Sequence, residues 1–130
     1  MLEHYILDAE HHVVLEPDLL TWARFMEEHE RRIVEQTETK LYWVSTVFLG
    51  LDHGWHSRRN LPVVFETMTF DLKHVVKEGL GDRLMRVREE ADLPDWSFDR
   101  YCSWDDALTG HRSIVGRLHR IEAEAEKVAT

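Results

Sequence analysis

The apolar positions follow two distinct rhythms along the chain. Leu19, Trp22, Ala23 and Met26 recur at i, i+3, i+4 and i+7, the period of one helix face. Pro17 and Asp18 precede them, with Asp18 placed as an N-cap. Glu27 with Arg31 and Glu28 with Arg32 are i,i+4 pairs in the favourable order. The pattern predicts one helix of about four turns over 18–32.

From residue 33 the rhythm becomes that of strands. "IVEQT" and "KLYWVSTVFLGL" flank the polar "ETK", which predicts a hairpin. The second run is apolar on both faces, as in a central strand covered by helices. Past "DHGWHSRRNL", the run "VVFETMTFD" predicts an antiparallel neighbour. "HYILD", "HVVL" and "SFDRYCS" read as short strands, and "DRLMRVREEADL" as a helix with Leu80, Leu84, Val87 and Ala91 on one side. Ser103 with Asp106 approximates a capping box. Beyond it Ala107, His111, Ile114, Leu118, Ile121 and Ala125 alternate steps of four and three, a stripe of about five turns expected to lie across the sheet. The expected fold class is α+β: an antiparallel sheet of four to five strands, with two or three helices packed mainly on one face.

Composition narrows the function classes. The 130 residues suit one domain over 1–130, and no apolar run is long enough to span a bilayer. The N-terminus lacks the basic start and apolar stretch of a signal peptide, so the expected location is cytoplasmic and no membrane partner is expected. Twenty-five acidic residues against sixteen Lys and Arg leave a formal charge of −9. Such a chain lacks the basic face that releases counterions from nucleic acid, and is compatible with a basic protein partner. Cys102, the single cysteine, has no intramolecular disulfide partner and reads as a small buried hydrophobe.

Four features carry candidate chemistry. Asp52, His53 and His56 form an Asp-His-x-x-His loop able to supply ligands to a divalent ion such as zinc, with Glu66, Asp71 or His111 as a further donor. The alternative is a strand-end turn in which Asp52 binds local backbone, Gly54 takes a positive φ and the histidines are solvated. Glu66, inside an apolar strand, needs a charge partner if buried, and Arg24 is the expected one in a structural pair. His111 sits on the apolar stripe of the last helix, as a core histidine with satisfied ring nitrogens or as a ligand. Trp55 and Trp96, in polar or proline-flanked surroundings, are expected to be exposed interaction anchors, with Asp52 and His53 beside Trp55. No phosphate-binding glycine loop, nucleophile elbow or paired CxxC occurs, and apart from that ion no cofactor is expected.

"DLLTWARFME", "VSTVFLGLDH", "PVVFETMTF" and "YCSWDDALTGH" together resemble a family of small, uncharacterised proteins encoded by tailed bacteriophages and prophages. The resemblance covers roughly residues 5–70 and 99–115. Residues 72–96 depart from it as a variable insertion, longer and more charged than the family's connector. It implies a phage-type accessory protein that binds a host or phage protein, with an anti-defence role of the anti-CRISPR kind among those expected. The alternatives are a small metal-dependent hydrolase using the Asp52 loop and a minor structural component of a phage particle. The oligomeric state is left open, a homodimer included.

Overall fold

A computed structural model describes residues 3–54, 61–77, 85–87 and 93–129. A four-stranded antiparallel sheet organises the chain. Its strands are β3 (Ile33–Glu38), β4 (Tyr42–Phe48), β5 (Phe65–Asp71) and β8 (Asp99–Tyr101), in that order across the sheet. Two further antiparallel pairs lie outside it: β1 (Tyr5–Leu7) with β2 (Val13–Leu15), before it in sequence, and β6 (Val75–Lys77) with β7 (Met85–Val87), between β5 and β8. Three helices complete the fold: α1 (Leu19–Glu27), α2 (His29–Arg32) and the long α3 (Trp104–Ala129). The architecture is α+β, as the periodicities predict.

Alternation along the strands decides what faces the helices. Register pairs Val44 with Thr69, Thr46 with Thr67 and Phe48 with Phe65, and these pairs share the α3 side. Phe48 and Phe65 meet Phe25 of α1, Leu7 of β1 and Ala107 of α3 in one buried cluster. Val44 meets Ile114 and Leu118 in a second. Both helices therefore pack on the same sheet face. On the other face Trp43 lies nearly parallel to Phe70, at 5.2 Å between ring centres.

Gly50 joins α1 to the sheet. Its φ of 77° lies in the left-handed region, and its carbonyl accepts the Trp22 indole N–H at 3.1 Å. The positive φ is what calls for glycine; a Cβ there would also press on the flexible end of Met26, which would have to shift. The same carbonyl accepts the Tyr5 N–H at 2.9 Å, tying the first hairpin to the end of β4.

Three expectations need correction. The first helix is broken at Glu28, whose ψ of 76° ends α1 before α2 begins. Arg31 consequently pairs with Glu28 at i,i+3 rather than with Glu27. Arg32 turns away from Glu28 and donates to the carbonyls of Phe48 and Met26. Of the segment read as a helix over 82–93, residues 85–87 form β7, paired residue for residue with β6, where cross-strand pairing overrides a helical spacing; residues 82–84 and 88–92 lie outside the described residues. On α3 the buried stripe runs Ala107, His111, Ile114, Leu118 and then Glu122, while Ile121 is 42% exposed. Among the described residues no helix is long and apolar enough to cross a membrane.

Candidate functional site

The polar interior is built around His111. It is fully buried, one turn beyond Ala107 on α3, and both ring nitrogens are engaged. Nε2 lies 2.8 Å from the Thr37 hydroxyl and Nδ1 lies 2.7 Å from the Thr46 hydroxyl. Thr46 continues to Thr67 at 2.5 Å, and Thr67 donates to the Tyr101 hydroxyl at 3.2 Å. One member of this chain comes from each strand of the sheet: Thr37 from β3, Thr46 from β4, Thr67 from β5 and Tyr101 from β8.

The order of donation fixes the tautomer. Because Thr67 gives its proton to Tyr101, it accepts from Thr46, which in turn accepts from His111. His111 therefore carries its proton on Nδ1, and Nε2 accepts from Thr37. Burial pushes its pKa below the ordinary 6.5, against the pull of Glu35, whose carboxylate stands 3.7 Å from Nε2; Arg112, itself on Glu35, adds to the lowering. Gly110 lets Tyr101 lie directly on α3, where any Cβ would overlap its ring. Chemically this is a satisfied, neutral network closed to solvent at the histidine. It suits holding α3 to the sheet rather than acting on a substrate.

Thr69, beside Thr67 on β5, is the exception. Its hydroxyl is buried and has no hydrogen-bond partner among the described residues. Thr69→Val is expected to raise stability by about 1 kcal/mol, since an unpaired buried hydroxyl is removed. The denaturant midpoint should rise at unchanged m-value.

The Asp52 loop behaves as a turn where it is described. Asp52 Oδ1 accepts the Gly54 and Val63 N–H groups at 2.8 and 2.9 Å, and His53 is exposed. Gly54 is needed for space rather than for a positive φ, because a Cβ would run into Val63. His56 and Trp55 lie outside the described residues.

Glu66 finds a different partner from Arg24. It projects from the sheet face opposite the helices, whereas α1 and Arg24 lie on the Phe48–Phe65 side. Arg100, its register partner on β8, donates to it at 2.9 Å. Trp96 is no free anchor: it packs beside Val44, Ile114 and Leu118 under the Arg117 guanidinium, 4.3 Å from the ring centre.

Two features at the N-terminal end escape the sequence pattern. In the β1–β2 turn, Asp8, Glu10 and His12 bring three potential ligand atoms within 4.8 Å of one another. Asp8 Oδ1 is already taken up by the Glu10 and His12 N–H groups and Oδ2 faces the His12 ring, so the turn itself accounts for the arrangement. The backbone hydrogen bond from His12 holds the Asp8 carboxyl below the usual range. His11 adopts a φ of 66° and stacks on Trp104 at 3.7 Å.

The second feature is a ledge, a run of exposed apolar side chains close together in sequence, in which Val14 and Leu15 point to opposite faces of the hairpin. Val14 and Leu15 on β2 are 39% and 50% exposed; Leu19 and Leu20, opening α1, are 59% and 58% exposed. Leu19 shares the sequence stripe of Trp22, Ala23 and Met26, but the buried residue of α1 is Phe25, which lies off that stripe. Three carboxylates border the ledge. Glu3 accepts the hydroxyl of Tyr5, the register partner of Leu15, and Glu16 accepts the Asp18 N–H within the ledge itself. Exposure of this kind is invisible to a periodicity, which shows that a residue is apolar and not whether anything covers it. No protein-family model, curated protein or solved structure matches this chain.

Proposed function

We propose that this chain is a phage-type accessory protein that acts by binding a host protein, in a role directed against host defence, and that the ledge from Val14 to Leu20 makes the contact. The observation that carries the reading is four large apolar side chains exposed within seven residues, on a hairpin edge and the helix that follows it. Apolar residues clustered at a surface mark interaction sites, whereas singly scattered ones do not. The family resemblance supplies the phage setting, and the histidine closed off in the core supports contact over chemistry.

The test is a photo-crosslinking amino acid placed at position 20, with a second placed at position 53 as a control. Position 20 is expected to crosslink one defined host protein in cells, and position 53 is not.

A further inference from the structure

We propose that the ledge docks a basic amphipathic segment of its protein partner, with apolar residues seated on Leu15, Leu19 and Leu20 and Lys or Arg side chains against Glu3, Glu16 and Asp18. This rests on the reading of the ledge as the binding surface and adds the chemistry of what binds there. Charge complementarity carries it. Between residues 14 and 20 the charged side chains are Glu16 and Asp18, with neither Lys nor Arg, and Glu3 reaches Tyr5 beside Leu15. The Asp18 carboxyl is held low first by the Thr21 hydroxyl donated to it at 2.5 Å, then by the backbone N–H groups of Thr21 and Leu20, and last by Arg24, the first cation along the chain, one turn past Leu20.

An apolar strip with an acidic border selects among occupants. A second copy would bring the same carboxylates on a chain of formal charge −9, and an anionic membrane surface or nucleic acid would be repelled likewise. A basic amphipathic segment meets both parts of the surface at once: its apolar anchors displace water from the leucines, and its cations steer the encounter. Thr21, Glu16 and the Asp18 backbone already hold the border carboxylates in place, so little ordering is left to binding.

The experiment titrates the full chain with three synthetic helical peptides of equal length. One has a leucine face and a lysine face, one replaces lysine with glutamate, and one replaces leucine with glutamine. The Leu/Lys peptide is expected to bind, with affinity falling as salt rises; the other two are expected to bind at least about tenfold more weakly. Leu19→Ser with Leu20→Ser should lower Leu/Lys affinity about tenfold. Glu16→Gln with Asp18→Asn should flatten its salt dependence, and Val128→Ser should change nothing. Leu19, Leu20, Asp18 and Val128 are exposed and Glu16 is half-buried, and unchanged thermal melts verify the fold. Four outcomes overturn the proposal: no binding of the Leu/Lys peptide, equal binding of the Leu/Glu peptide, Leu/Lys binding indifferent to the leucine substitutions, or self-association through the same leucines. If the peptides fail while the crosslink at position 20 forms, the partner's chemistry is wrong and the binding function stands. If that crosslink fails, the function itself falls.

Discussion

His111→Ala is expected to destabilise the protein by about 3 kcal/mol, among the largest losses available to one substitution. Two penalties add. Removing a fully buried ring leaves a cavity beneath α3, and the Thr37 and Thr46 hydroxyls lose the atoms they pair with. His111→Leu separates the two: it fills most of the space and restores no hydrogen bond, so its loss should be about half as large. Chemical denaturation of both variants measures the difference.

The same residue sets a pH dependence of definite sign. Burial lowers its pKa in the folded state, so between that value and 6.5 the unfolded chain binds more protons. The stabilisation from a neutral His111 is fully present above 6.5 and is lost as pH falls through the folded pKa. Glu35 and Arg112 are the charged groups in contact range, and Tyr101 joins through Thr46 and Thr67. In His111→Leu this component is gone. The stability difference between wild type and variant should therefore shrink as pH drops below 6.5, and a constant difference would place the proton elsewhere.

Glu122→Ala is the second large expected effect, about 2–3 kcal/mol. The side chain is 5% exposed on α3, and a single oxygen, Oε2, accepts the Leu41 N–H at 2.6 Å and the Thr39 hydroxyl at 3.1 Å. Those two residues form the turn between β3 and β4, and the Leu41 carbonyl in turn accepts from Leu72 just past β5. Alanine would leave the Leu41 N–H without its carboxylate acceptor, and Thr39 with the Tyr42 carbonyl alone. Lys40 and Glu126 add an ion pair over the same turn, at the surface. Glu122→Gln keeps a carbonyl oxygen that can take both bonds, so it should cost about 1 kcal/mol or less. Equal losses from Ala and Gln would show that charge, not acceptor geometry, holds the turn.

How much of this was legible in the sequence follows from what each pattern encodes. Strands β4 and β5 were, because "YWVSTVF" and "FETMTFD" are rich in β-branched and aromatic residues and are bounded by polar turns. So was α3, whose stripe fixes its face as far as Leu118. Glu122 broke the stripe because a buried carboxylate looks in sequence like a surface one, and only the turn's donors explain it. The hydroxyl chain escaped for the same reason: threonines 37, 46 and 67 are ordinary strand formers until register sets them beside His111. His111 itself was read in both its roles, and the core role is the one the geometry fits. The Glu66 pairing went to Arg100 because an alternating strand chooses its face by parity, whatever cation lies near in helical projection. The ledge was the least legible feature: nothing in "VVLEPDLL" says that its apolar residues are left uncovered.

We propose that this fold presents residues 14–20 to a protein partner. The photo-crosslink in host cells tests it most directly. A photo-reactive residue at position 20 is expected to trap one defined protein whose own contact segment is basic, and the same residue at position 53 to trap none. A position-53 adduct with that protein, or no adduct at position 20 from a chain that folds normally, would contradict the account.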